Sequence, residues 1–377
     1  MMEAILARSI EAFDREEWNA LFADELEDWF YYRAVENAAL AGFEWIYLAV
    51  WERGRLRAAV PGFVTEYRID TTLSGTKKRV TNAIARIAPR LVTIPLVSLG
   101  SPVGEVCHLG FAADCSGAER SRLADALLAK LLDFAAQRRI GMIAVKDASS
   151  DDDEIWTAAC GKAGLRRMPG QATALLDVRF RSLDDYLSSL GPATRRDMRR
   201  KLRERESIRI EWRTHIDDVI DHLMNLYRAT LAEAEYRFEE LTPAYFSGVM
   251  RDPGGRALCA TYWLGEKLIA FNLVLRNRHR LLDKFFGMDY TVGRAHNLYY
   301  LSWMENVRYC IEHGLALYQS GQGLEQEKLR LGSRLAPNWL WYRHRNRLVD
   351  RVFAAVERLF SLDSGSRKPP LHPAAHA

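Results

Sequence analysis

Two stretches of the 377-residue chain follow one plan: apolar β-rich runs, then an amphipathic helix, then one more apolar run. In the first half, residues 44–69 (EWIYLAVWERGRLRAAVPGFVTEYRI) hold two such runs around Glu52-Arg53-Gly54-Arg55, which predicts a hairpin. In the second half, residues 257–290 hold three runs parted by Leu264-Gly265-Glu266 and Arg276-Asn277-Arg278, which predicts an antiparallel meander. Helical spacing follows each unit. Leu123, Leu127, Leu128, Leu131, Phe134 and Ala135 precede a strand at 142–145; Tyr300, Trp303, Met304, Val307, Cys310 and Ile311 precede one at 315–318. Gly314 stands where a helix end favours a left-handed residue. The hairpins lie roughly 210 residues apart and the helices roughly 175, so the recurrence is a diverged duplication and not a short-period solenoid.

A chain of this length exceeds one ordinary hydrophobic core, so about two domains are expected. Hydrophobic residues at 48% and aromatics at 11% supply the apolar area for them and exclude general disorder. The boundary falls where a strand at 174–178 gives way to helices, with Pro192 in the first turn of a basic one. The expected division is 1–175 and 176–347, then an amphipathic helix at 348–363 and a Pro/Ser/Ala-rich disordered tail at 364–377.

Composition also narrows the setting. Five cysteines, none in a CxxC pair, indicate neither a disulfide framework nor a zinc site, and fit a reducing, cytoplasmic location. The acidic N-terminal stretch does not read as a signal peptide, and no apolar run is long enough to span a membrane. The net charge of +4 is concentrated in residues 195–205 (RRDMRRKLRER), which hold seven basic and two acidic residues. That helix is either a solvated face or a contact for an anion. His296 and His344 lack a second ligand at metal spacing, so no metal is expected, and the adjacent Cys107-His108 pair does not make a thiol nucleophile. Asp147, Asp151, Asp152, Asp153 and Glu154 follow the first half's strand as an acidic loop.

Antiparallel strands, a helix and a further strand, occurring twice, resemble the GNAT acyltransferase fold in its duplicated, FemAB-like form. The stretches carrying the resemblance are SLDDYLSSLGPATRRDMRRKLRERESIRIEW, GRAHNLYYLSWMENVRYCIEHGLALYQSGQG and EKLRLGSRLAPNWLWYRHRN. The fold expected from it is α+β, with two tandem GNAT-like domains, each a mainly antiparallel mixed sheet flanked by helices. The chemistry it implies is acyl transfer to an amine without a metal. In that plan the donor pyrophosphate rests where the central helix opens, here Gly293, Arg294, Ala295, His296 and Asn297. The donor is expected to be an acyl-CoA, with aminoacyl-tRNA as the alternative implied by FemAB-like proteins, whose acceptor is a peptidoglycan-precursor amine. The glycine content of the loop is thin for a GNAT protein, and no coiled-coil arm is present in the sequence.

The polar stretch 318–328 (YQSGQGLEQEK) supplies most of the other candidates. Tyr318 is a phenol at the acceptor side or an aromatic closing the core. Glu325 and Glu327 offer a base, or merely open a helix. Lys328 matches the lysine of the family's closing motif, where it meets a substrate phosphate or carboxylate; otherwise it pairs with a neighbouring glutamate. Gln319, Gln322 and Asp289 complete the substrate-binding set, although Asp289 and Asn297 also suit turn and N-cap roles. Gly321 and Gly323 allow backbone forms closed to other residues. The competing readings are a peptide- or cell-wall-recognition module without turnover, and a nucleic-acid binder.

Overall fold

A computed structural model describes residues 2–68, 93–234 and 238–351. In the first half the strands are β1 (Met2–Ala7), β2 (Phe43–Glu52), β3 (Arg55–Arg68), β4 (Thr93–Leu99), β5 (Gly110–Phe111), β6 (Met142–Ser149) and β7 (Arg166–Pro169). They continue as β8 (Thr173–Asp177), β9 (Arg209–Arg213), β10 (Ala257–Leu264), β11 (Lys267–Arg276), β12 (Arg280–Met288), β13 (Leu317–Gly321), β14 (Arg334–Ala336) and β15 (Asn338–His344). The hairpin and the meander fall where turn chemistry puts them, with Arg53, Gly54 and Gly265 at positive φ. Both β2 and β11 are covered on their two faces, which is why their apolar runs are continuous.

Two sheets result. The eight-stranded one runs β1-β2-β3-β4-β6-β15-β7, with β5 joined to β3 off this path; the seven-stranded one runs β9-β10-β11-β12-β13-β8-β14. Position by position the orders match, except that each sheet takes its sixth strand from the other half of the chain. β15 pairs with β6 and β7, while β8 pairs with β13 and β14. A division at 175/176 therefore passes through β8, and residues 338–344 lie in the first sheet. Periodicity marks a strand but not its partner, so the exchange leaves no trace in the residue pattern.

The helices are α1 (Arg15–Leu21), α2 (Trp29–Asn37), α3 (Gly117–Gln137), α4 (Asp153–Lys162), α5 (Leu183–Ser189), α6 (Pro192–Lys201), α7 (Ile220–Glu233), α8 (Pro243–Met250), α9 (Tyr290–Gly293), α10 (Leu298–Glu312) and α11 (Glu325–Arg330). α3 backs the first sheet through Leu123, Leu127 and Leu131, and α10 backs the second through Trp303, Met304 and Val307. The largest core lies between the sheets, where α1, α2, α7 and α8 bury Trp18, Tyr32, Tyr227, Tyr245 and Phe246. There the Tyr31 and Tyr245 hydroxyls meet at 3.0 Å across the two halves.

Gly314, at φ +66°, ends α10: its N–H reaches the Ile311 carbonyl and that of Leu315 reaches Cys310. α3 ends the same way with Arg139 at φ +57°. No described helix is long and apolar enough to cross a membrane. Residues 347–351 are helical; the remainder of the expected 348–363 helix and the 364–377 tail lie outside the described residues.

Candidate active site

β12 and β13 pair in parallel over Arg280–Leu282 and Leu317–Gln319 only, and then separate. Two irregularities drive them apart. Leu273 faces Phe285 while Val274 faces Asp283, which leaves Lys284 as an extra, bulged residue in β12. In β13 the register against β8 slips between Gln319 and Gly321. The strand spans 317–321 where periodicity places it at 315–318, so Tyr318 is its second residue and not its last.

Behind the split, on the α10 face, lies a buried polar cluster. Tyr318 Oη donates to Asp283 Oδ2 at 2.9 Å, Asn306 Nδ2 donates to Tyr318 Oη at 3.0 Å, and Asn272 Nδ2 donates to Asp283 Oδ1 at 2.6 Å. Burial raises the Asp283 carboxyl against these bonds, and pushes the Tyr318 phenol well above its ordinary range. The start of α10 is preceded by α9, whose cap is Asp289: Oδ1 accepts the Thr291 N–H at 2.9 Å and Oδ2 meets Lys267 at 2.7 Å. Asn297 adopts φ +54° and makes no side-chain cap bond, contrary to its expected capping role, because a left-handed residue aims its side chain away from the first turn. α3 differs: Ser116 and Glu119 close its start as a reciprocal capping box. The basic helix α6 meets the first turn of α10. Lys201 Nζ lies 3.2 Å from the Tyr300 ring centroid, and Asp197 ties Lys201 (3.1 Å) to Arg330 (2.6 Å).

In front of the split, between the sheets, is a cavity of about 400 Å³ lined by residues of both halves. Glu25 and Glu27 come from the α1–α2 connection and Glu105 and His108 from the segment after β4; Arg280 and Gln319 come from β12 and β13. His108 sits between two carboxylates, Nε2 at 3.1 Å from Glu27 and Nδ1 at 3.4 Å from Glu25. Burial disfavours its charge, but Glu25 and Glu27 together outweigh that and hold the imidazole up at about 10. Glu27 is held down at about 2, the Lys284 ammonium and His108 overcoming its burial; Glu25 is lowered as well, by His108 and Arg280. Lys284 crosses from the bulge to ion-pair with Glu27 and to donate to the Val103 carbonyl at 2.8 Å.

Glu105 is the contrasting carboxylate. Its partners are neutral: Gln319 Nε2 at 3.2 Å and the Gln322 N–H at 3.3 Å. Burial raises its carboxyl despite nearby Lys284, so it is a better proton acceptor than Glu25 or Glu27; Asp152, farther along the lining, is raised by burial as well, but Glu105 is the one held by the end of β13. Gly321, at φ +81°, presses on Glu105 so closely that a Cβ there would overlap Oε1.

Among the residues singled out in the sequence, Tyr318, Gln319, Gln322, Glu327 and Lys328 gather at the end of β13, while Asp289 and residues 293–297 lead into α10. Glu325 is exposed in the first turn of α11 and does not line the cavity. Glu327 is engaged by Arg330 at 3.2 Å and by the Tyr300 hydroxyl at 3.1 Å, which suits a structural pair better than a base. Lys328 is buried and pairs with neither glutamate; its Nζ donates to the carbonyls of Ser320, Gly321 and Gln322. Asp151 and Asp152 of the acidic loop do line the cavity. Sequence reasoning missed Glu25, Glu27, Glu105, Asp283 and Lys284, and weighed His108 only as a partner for Cys107, whose thiol burial pushes well above its usual range. One signal was present: Asp283-Lys284 interrupts the apolar run LLDKFF, and charges set inside an apolar strand pattern require partners.

Solved structures share this architecture at low identity. FemX superposes with a TM-score of 0.58 at 12% identity, over 93% of this chain and 99% of that one. The C-terminal domain of a protein described as a lysylphosphatidylglycerol synthetase from Agrobacterium fabrum gives 0.51 at 14%, over 91% and 97%. A tandem GNAT protein from the clavulanic acid biosynthesis pathway gives 0.50 at 14%, over 92% and 99%. At such identities the likeness concerns the fold, which is the expected duplicated GNAT arrangement. No curated protein matches the chain. A family model for FemAB-like proteins, described as peptidoglycan biosynthesis/recognition, matches residues 9–358 and so spans both sheets. The chain belongs to the FemAB-like family.

Proposed function

We propose that the protein transfers an acyl group from an acyl-CoA, acetyl-CoA in the simplest case, to an amine of a peptide or peptidoglycan precursor. The observation carrying this reading is the split itself: β12 and β13 part between an uncapped helix start on one face and a polar cavity on the other. The donor lies along residues 293–297, where the start of α10 has no side-chain cap and its dipole favours phosphate, with Lys201 and Arg330, bridged by Asp197, beside it. The acceptor enters the cavity, where Glu105 receives its proton. The amine nitrogen bonds to the acyl carbon, the thioester C–S bond breaks, and the thiolate leaves and is protonated. A cytoplasmic setting belongs to this reading, and the five cysteines are buried free thiols.

A second donor has one observation in its favour. Arg196, Arg199 and Arg203 are exposed on and just beyond α6, beside the same helix start, and suit a polyphosphate such as charged tRNA. Thermal melting separates the two. Saturating acetyl-CoA is expected to raise Tm by several degrees, with charged tRNA giving little at 150 mM salt. No shift with acetyl-CoA beside a salt-sensitive shift with tRNA would transfer the assignment to the second donor.

A further inference from the structure

Lys328 stands in the motif where a lysine is expected to meet substrate, but its ammonium is otherwise engaged. The residue is 4% exposed, and Nζ donates to the carbonyls of Ser320 (2.6 Å), Gly321 (2.9 Å) and Gln322 (3.0 Å). An ammonium has three donors, so these carbonyls use all of them. Converging three successive carbonyls on one point takes an unusual backbone, with Gly321 at φ +81°, Gly323 at +75° and Leu324 at +50°. The outer side of the same arc meets Glu105. Gln322 gives it a backbone N–H, Gln319 just before gives it an amide, and Gly321 leaves it room.

We propose that Lys328 is a positioning residue that sets the place and proton affinity of Glu105 by clasping residues 320–322, without touching donor or acceptor. The proposal rests on Glu105 as the proton acceptor. The charged groups facing Glu105 are Lys284 from β12, Lys328 from α11 and Glu27 from the α1–α2 connection. The two lysines favour its carboxylate; Glu27 and burial oppose it. Lys328→Met removes one favourable charge and frees the arc that carries the two donors, so both effects raise the proton affinity of Glu105. Lys328→Arg keeps the charge, but a flat guanidinium does not converge on three carbonyls, so the clasp fails while the charge remains.

The test reads Glu105 directly in the full chain. Protein carrying ¹³C-carboxyl glutamate is titrated by NMR, with the Glu105 resonance identified by its loss in Glu105→Gln. Acetyl transfer from acetyl-CoA to a lysine-containing peptide is measured against pH alongside. In Lys328→Met the Glu105 midpoint is expected to rise by about one pH unit, and the acidic limb of kcat to follow it, with KM for acetyl-CoA changed less than about twofold. In Lys328→Arg a smaller rise in the same direction is expected. An unmoved midpoint in both variants overturns the proposal, and so does a KM for acetyl-CoA that rises about tenfold at an unmoved midpoint. Should Lys328→Met not fold, Lys328→Arg decides the question. The titration needs no turnover, so absence of acetyl transfer by the unmodified protein would count against the proposed reaction and leave the clasp separately decided.

Discussion

Gly321 meets two requirements at once: a left-handed backbone and a surface flat enough for a carboxylate to lie against it. Its sequence context announced the first requirement, since glycines amid amides and charges ask for unusual backbone. The second depends on Glu105, more than 200 positions earlier, and no local pattern carries that. His108 illustrates the same division. Its charge is fixed by Glu25 and Glu27, so its folded pKa of about 10 stands above the ordinary value. A group raised in the folded state contributes its full stability below its unfolded pKa of about 6.5 and loses it as pH climbs toward 10. Urea unfolding at pH 6, 8 and 10 is expected to show wild-type stability falling steadily, while His108→Gln, less stable at pH 6, changes little over that window. Equal slopes for the two proteins would show that the clamp does not hold the proton.

At the scale of elements, the two helices in matching positions differ at their starts. α3 is closed by its own Ser116–Glu119 box, whereas α10 begins at a left-handed Asn297 with no side-chain cap. That contrast favours the second half for anion binding and is itself testable. Ser116→Ala is expected to cost about 1 kcal/mol by urea titration, whereas Asn297→Gly, which keeps the left-handed backbone and loses no cap bond, is expected to act through donor binding. The hairpin, the meander, both long helices and the Gly314 stop were legible because turn residues and apolar spacing are local signals. The residues fronting the split were not. Glu25, Glu27 and Glu105 sit in connections with no periodicity, and their importance comes from what reaches them across the interface: Arg280, Lys284, Gln319 and Gln322.

For the whole molecule, the exchange of β8 and β15 makes the halves mutually dependent. Each sheet lacks its sixth strand without the other half, and Tyr31, Tyr245, Glu27 and Lys284 join them through a common buried core. One cooperative unfolding transition is expected for the full chain, and residues 1–175 and 176–377 expressed separately are expected to be insoluble or unfolded by circular dichroism. Two resolved calorimetric transitions, or a folded isolated half, would contradict that dependence. The exchange also ties the proposed function to architecture, because the cavity draws Glu105, the proposed proton acceptor, from one half and the split from the other.

That shared site is tested most directly by the rate of acetyl-CoA thiol release in the presence of a lysine-containing peptide, compared between wild type and Glu105→Gln. Loss of a general base is expected to lower kcat by about 10²- to 10⁴-fold, with KM for acetyl-CoA held within about twofold. A Glu105→Gln protein that turns over at the wild-type rate would contradict the assignment of this cavity to the acceptor and of Glu105 to its proton.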